Sequence, residues 1–310
     1  MKIIKCGGKV LKDFEYRNKL YKEIKEDKDK IILVVSAFCD SPYSTVSFKN
    51  LLKDNYTYEM EQELLILGEI ISSIIVTNEL KNLYIDAEVI YKEEIGIYVN
   101  SSDKMDEIAR LDPTFINKKI ANHKVIVIPG FIGINQHNKY VSLNANGSDL
   151  TAVLIAKMLN INEVFLYKDV LGLSSINPKE NSEYKLYKNV SYSLMHQIII
   201  HGNDLLQEEA LKIAKDNNII INITHYINHS YNTVISKYSK EPVIVIQNCN
   251  KDIYIDGYFN KEIIELQLNK NNLIYDYVLP CNSFIKVVTS FNNELMIKKQ
   301  LHNALMKGNL

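Results

Sequence analysis

Apolar positions along the chain fall into two rhythms. Short β-branched runs recur through the first two thirds: KIIKC at 2–6, IILVVSA at 31–37, DAEVI at 86–90, KVIVIPG at 124–130, EVFLY at 163–167 and IIINI at 219–223. Between them lie longer stretches with apolar residues three and four apart, such as YEMEQELLILGEIISSIIVTNELKNL at 58–83 and SDLTAVLIAKMLN at 148–160. The first kind predicts buried strands, the second helices. Strands alternating with helices predict an α/β fold, a mainly parallel sheet covered by helices on both faces, three layers in all. Loops at the carboxyl ends of such strands build the ligand site. Three Gly-containing loops obey that rule: one after KIIKC, one after KVIVI, and one before the helix that begins near Ser148.

The rhythm changes after about residue 230. PVIVIQ, DIYIDGYF, IIELQL and SFIKVVTS read as short alternating strands, and NELMIKKQLHNALMKG reads as a helix. A boundary within 225–241 then divides a first domain over 1–230 from a small α+β module over 241–310.

Composition narrows the function classes. A chain of 310 residues is long enough to bury a sizeable core. Its 36 basic and 37 acidic residues nearly cancel. With no long run of one charge, nucleic acid and membrane surfaces are disfavoured as partners and a small molecule is expected. Cys6, Cys39, Cys249 and Cys281 are scattered, without metal-ligand spacing or a disulfide framework. They read as structural thiols in a reducing cytoplasm, and no protein-built metal site is expected. The N-terminal apolar run is too short for a signal peptide, and no window approaches the ~18 apolar residues of a membrane span.

Five stretches carry candidate chemistry. KIIKC runs straight into Gly7 and Gly8: two glycines let backbone N–H groups approach an oxyanion, and Lys5 supplies a point charge for phosphate, unless the pair is a plain turn. Ser36 closes a buried strand and either donates to a phosphate or carboxylate or satisfies a turn. Glu69 stands among Leu and Ile, where a carboxylate is costly unless paired, so it meets either a cation of the fold or a ligand ammonium. In SLNANGSDLTAVLIAKML, 142–159, either Ser148 or Asp149 caps the helix with Gly147 allowing close approach, or the backbone amides face an anion. In FLYKDVLGLSSINPK, 165–179, Asp169 and the turn after it, with a basic end, either hold a nucleotide or form a surface turn.

Taken in order, these pieces resemble the aspartokinase branch of the amino-acid kinase family over roughly residues 2–225. The family pattern K-F-G-G-T-S is similar to KCGGKV, V-V-S-A to Val34–Ala37, and G-E with a helical serine to GEIIS. G-F-I-G is similar to PGFIGIN, G-R-G-G-S-D-T-T-A to NANGSDLTA, and Y-T-D-V-D-G-V-Y-T-A-D-P-R to YKDVLGLSSINPK. The resemblance implies an amino-acid-kinase-like fold and ATP-dependent phosphorylation of the side-chain carboxylate of aspartate or a related amino acid, with Mg2+ between the phosphates. It implies that Lys5, Gly7 and Gly8 hold the transferring phosphate with help from Ser36, with Lys5 and Asp149 at the catalytic centre. Glu69 would take the substrate ammonium, Gly147, Ser148 and Asp149 form the substrate loop, and Asp169, Ser174 and Lys179 hold the nucleotide. The module after 241 is similar to a shortened ACT domain, for regulation or for pairing into a homodimer.

Four departures fall on that chemistry. Lys9 stands where the family has Thr, and Ala145 where it has the Arg that grips the substrate α-carboxylate. Such a contact is worth roughly 1.5–3 kcal/mol, one to two orders of magnitude in affinity. Leu171 replaces an Asp, and Asp204 falls where a nucleotide-contacting Lys is expected. Lys9 or Lys168 is the candidate to supply that charge from another direction. These departures leave a working carboxylate kinase, for aspartate or for another acid such as glutamate or carbamate, beside a homologue that binds a metabolite or partner without transfer.

Overall fold

The structure, a computed structural model, describes residues 1–52, 56–102, 105–143, 147–258, 260–289 and 292–306, at 101, 102, 105 and 106 the backbone alone. The chain forms two compact units, Met1–Val170 with Asp216–Ser230, and Leu171–Lys215 with Tyr231–Leu310.

In the first unit the predicted runs become six parallel strands: β1 (Lys2–Cys6), β2 (Ile31–Val35), β3 (Ala87–Val89), β4 (Val125–Pro129), β5 (Glu163–Lys168) and β6 (Ile220–His225). Their order is β6-β5-β1-β2-β4-β3. Side chains alternate across the sheet. Ile4, Cys6, Leu33, Val35, Val125 and Val127 therefore share one face, where they pack with Tyr16, Leu20 and Ile24 of α1 (Phe14–Glu26) and Val76 and Leu80 of α2 (Leu67–Asn82). Arg17 joins these two helices through a fork on Glu79, its Nε and Nη2 at 2.8 and 2.9 Å from the carboxylate oxygens. The opposite face of β1, β2 and β5 receives α3 (Gly147–Met158), whose apolar residues are buried almost all round. The result is the three-layer α/β arrangement the pattern predicts.

Two details of this unit were not legible. The stretch 58–83 is two helices, Tyr58–Leu65 and Leu67–Asn82, interrupted at Ile66. The interruption comes just before Gly68, where a Cβ would meet the Tyr43 carbonyl oxygen at 2.5 Å. A second four-stranded sheet, Met105–Leu111, Ile97–Ser102, Ile132–Ile134 and Tyr140–Ser142 in that order, arises from segments with no strong strand period.

The second unit is built on an antiparallel sheet of β7 (Val245–Cys249), β8 (Asp252–Asp256), β9 (Tyr277–Pro280) and β10 (Phe284–Val288), ordered β7-β8-β10-β9. IIELQL, predicted as a strand, is instead the middle of a helix, Lys261–Lys270. Asn260 caps it by accepting from the Ile263 N–H, and Ile264, Gln267 and Leu268 form the buried stripe. Ile264 and Leu268 pack with Ile297 and Leu301 of the helix Glu294–Met306 on Ile253, Ile255, Ile285 and Val287.

The grouping of Leu171–Lys215 with the C-terminal strands differs from a boundary at 225–241. Hydrogen bonds explain it: the Ile246 N–H donates to the Ser175 carbonyl at 2.8 Å. The Tyr187 hydroxyl donates to the Ile244 carbonyl at 2.7 Å, and Lys298 lies against Glu180. Among the described residues no helix is long and apolar enough to cross a membrane.

Candidate active site

Strand alternation places Lys5 on the face opposite Cys6, beneath the first turn of α3, where Asp149 sits. Lys5 Nζ lies 2.7 Å from Asp149 Oδ1, and Lys168 Nζ, from the end of the neighbouring strand β5, donates to Oδ2 at 2.7 Å. Asp149 is only 2% exposed. Burial pushes its carboxyl up, but attraction first to Lys168 and then to Lys5 outweighs that and holds it at about 2. It is therefore a fixed anion at any ordinary pH.

The Gly7–Gly8 turn follows β1 directly. The Gly7 N–H bonds the Tyr167 carbonyl at 3.4 Å. A Cβ at Gly7 would lie 3.7 Å from Lys5 Nζ, so the lysine head sits beside bare backbone. At Gly8 a Cβ would overlap the Ala37 carbonyl oxygen, which is why the chain needs glycine there. Ser36 joins the group through its Oγ, 2.8 Å from Ser148 Oγ, while its N–H donates to the Cys6 carbonyl at 3.2 Å. Gly130 has Ser148 so close that a Cβ would lie 2.5 Å from the serine Cβ, and this brings the head of α3 down onto the strand ends.

These bonds bear on the two readings of the 142–159 stretch. Neither the Ser148 hydroxyl nor the Asp149 carboxylate serves as a helix cap; the first is held by Ser36 and the second by two lysines. Ala145 lies outside the described residues.

Glu69 is 5% exposed. Its Oε1 accepts from the Ala37 N–H and the Thr45 hydroxyl, each at 3.4 Å, and its Oε2 is buried without a hydrogen-bond partner. Burial pushes the carboxyl up to about 7, with Lys5 contributing the smallest of the opposing effects. Among the described residues no cation of the fold forms an ion pair with it. A cleft of about 500 Å³ opens along Ala37, 39–42 and 44–47, beside the two groups Glu69 accepts from.

Asp169 is exposed and pairs with Lys9 at 3.2 Å, so one of the altered positions answers a retained acidic one. Ser174 ends the short strand Leu173–Ser174, paired with Leu186–Tyr187, and exposed Lys179 donates its N–H to Asn177 Oδ1. These two belong to the second unit, as do partly buried Leu171 and exposed Asp204. Lys5, Gly7, Gly8, Ser36, Glu69, Ser148, Asp149 and Asp169 all belong to the first unit. Lys168 was considered from sequence only as a source of positive charge; its place on the Asp149 carboxylate was not legible, because a lysine closing a strand carries no local signature.

A buried Lys–Asp–Lys cluster beside a glycine turn at strand ends is suited to binding an anion. A sequence profile of the amino acid kinase family matches residues 1–225. The chain belongs to that family. Within it the chain groups with the aspartokinases: it is 26% identical to Aspartokinase 1 of Bacillus subtilis (strain 168) over 253 residues, 78% of this chain and 63% of that protein. It is 26% identical to an aspartokinase of Rickettsia bellii (strain RML369-C) over 219 residues, 68% of this chain and 54% of the other. The chain thus spans somewhat more than half the length of these relatives. Among solved structures, E. coli aspartokinase III in complex with aspartate and ADP superposes with a TM-score of 0.71 at 16% identity, covering 97% of this chain and 84% of that one. At that identity the superposition establishes the fold of this amino acid kinase family member and nothing further.

Proposed function

We propose that the protein transfers the γ-phosphoryl group of ATP to the side-chain carboxylate of aspartate or a related amino acid. The observation that carries the reading is Glu69, a buried carboxylate with an open oxygen, in the same unit as the buried Lys5–Asp149 pair and the glycine turn. A ligand ammonium supplies the missing charge on Glu69, and the lysine and bare backbone receive phosphate. An amino acid and a nucleoside triphosphate together meet both needs.

In the transfer, an oxygen of the ionised substrate carboxylate forms the new bond to phosphorus. The bond from phosphorus to the bridging oxygen breaks, and its electron pair stays on ADP. No proton has to move and no protein nucleophile is required, so the protein contributes positioning and neutralisation of charge. Lys5 and the Gly8 N–H face the moving phosphoryl group beside the bare backbone of Gly7, with help from Ser36; Ser148 orients the acceptor; Asp149 is a positioning residue that fixes the lysine. Asp169, Ser174 and Lys179 are the residues matching the family's nucleotide motif. Mg2+ finds no site built among the described residues. Among the described residues no three His, Cys, Asp or Glu side chains gather, and both Asp149 oxygens are held by lysines. The antiparallel sheet β7–β10 with its two helices is assigned, from the sequence resemblance, to effector binding or pairing of two chains.

A coupled assay of ADP release across a panel of acidic amino acids tests the proposal. The expected result is turnover that requires one amino acid and ATP together. Nucleotide binding without turnover for any acid would replace this reading with that of a metabolite-binding homologue.

A further inference from the structure

We infer that Lys168, at the end of β5, is a second catalytic cation that contacts the transferring phosphoryl group, standing in for the lysine that Asp204 replaces. The inference rests on the function proposed above and concerns one residue within it.

Four observations lead to it. First, Lys168 and Lys5 reach the same carboxylate from neighbouring parallel strands, each Nζ 2.7 Å from a different oxygen of Asp149. One lysine would suffice to neutralise a structural aspartate. Two ammonium groups on one carboxylate repel each other, and that repulsion is relieved when an anion arrives. Second, the register fixes both heads at one place: Cys6 is the β-partner of Tyr167, so the residue after Tyr167 emerges beside the Gly7–Gly8 turn that follows Cys6. Third, the two lysines differ in access. The Lys5 side chain is 8% exposed and that of Lys168 is 16% exposed, so Lys168 is the more open to an incoming ligand. Fourth, the other basic residue considered for the role is committed elsewhere: Lys9 is largely exposed and paired with Asp169.

Asp149 then acts as a shared tether. It holds two long, flexible side chains in place before substrate binds, so their rotamer freedom is already lost when the phosphoryl group arrives. In the reaction described above, both ammonium groups stabilise the oxygens of the moving phosphoryl group, and neither gives up a proton.

The test compares Lys168→Met and Lys168→Arg with the unaltered protein, by steady-state turnover and by calorimetric binding of ATP and of ADP, each with magnesium chloride. Loss of one such electrostatic contact typically costs 10²–10³ in kcat. Lys168→Met is expected to lower kcat about 100-fold with little change in KM for the amino acid, and to weaken ATP at least tenfold more than ADP. Lys168→Arg, which keeps the charge, is expected to recover a large part of kcat. Equal weakening of ATP and ADP, or a Lys168→Met protein with kcat and ATP affinity near those of the unaltered chain, overturns the inference and leaves the proposed function standing. An unaltered protein that neither binds ATP nor turns over overturns both. Thermal unfolding of each variant, unchanged beside a lost kcat, separates a charge acting on phosphate from one that only supports the fold.

Discussion

At the scale of single residues, the site divides by how far a local pattern announces chemistry. Glu69 was legible because a carboxylate inside an apolar helix demands an explanation, and the sequence left two: a cation of the fold or a ligand. The structure supplies no ion-paired fold cation among the described residues and leaves Oε2 open. Its raised carboxyl gives a signed prediction. A group whose folded pKa lies near 7, against about 4.5 unfolded, stabilises the ligand-free protein below pH 4.5 and loses that contribution as pH rises towards 7 and above. The span corresponds to roughly 3 kcal/mol. Urea unfolding at pH 5 and pH 8 should show that loss in the unaltered chain and not in Glu69→Gln. Amino-acid binding near pH 6 should also release close to one proton, because the ammonium requires ionised Glu69, and near pH 8.5 should release almost none. Calorimetry in buffers of different ionisation enthalpy reads this directly, and pH-independent proton release would remove Glu69 from the ammonium role. Lys168 lay at the other extreme, since only the pairing of β1 with β5 shows which carboxylate it meets.

At the scale of elements, the period-two and buried runs located the six parallel strands of the first unit to within a residue or two, because strands buried on both faces are continuous apolar blocks. IIELQL defeated the same reasoning. Six residues of mixed polarity fit a short strand as well as a helix, and the deciding signals were the Asn260 cap and the 264–267–268 stripe. The loop after Ser174 shows an element whose conformation is set from afar. Helix Glu294–Met306 holds it: His302 Nε2 lies 2.8 Å from Ser175 Oγ, the Asn181 amide donates to Asn303 Oδ1 at 3.0 Å, and Lys298, 2% exposed, contacts Glu180 and donates to Asn248 Oδ1 at 2.6 Å. None of these partners is near in sequence, so no local pattern could reveal them. Lys298→Met should destabilise the protein by about 1–3 kcal/mol, since it leaves Glu180 and Asn248 without their donor. Chemical denaturation measures it, and a change within 0.5 kcal/mol, the usual effect of a surface substitution, would contradict the buried pairing.

At the scale of the whole molecule, chain order and contact order disagree. The sequence places a boundary after the last parallel strand, whereas Leu171–Lys215 groups with the C-terminal strands. The cause is the hydrogen bonding of the loop and of Tyr187 to β7 and the segment before it. Family membership was legible from six ordered motifs. What those motifs left open was whether the altered positions abolish transfer; around them the structure pairs Lys9 with Asp169 and brings Lys168 beside Lys5 on Asp149. The central claim is that a carboxylate becomes an acyl phosphate. Incubation with ATP, magnesium chloride, aspartate and hydroxylamine tests that claim most directly, because an acyl phosphate is trapped as a coloured hydroxamate once iron(III) is added. The account predicts hydroxamate in step with ADP, dependent on the amino acid and lost in Lys5→Met; ADP without hydroxamate for every acidic amino acid tried would contradict it.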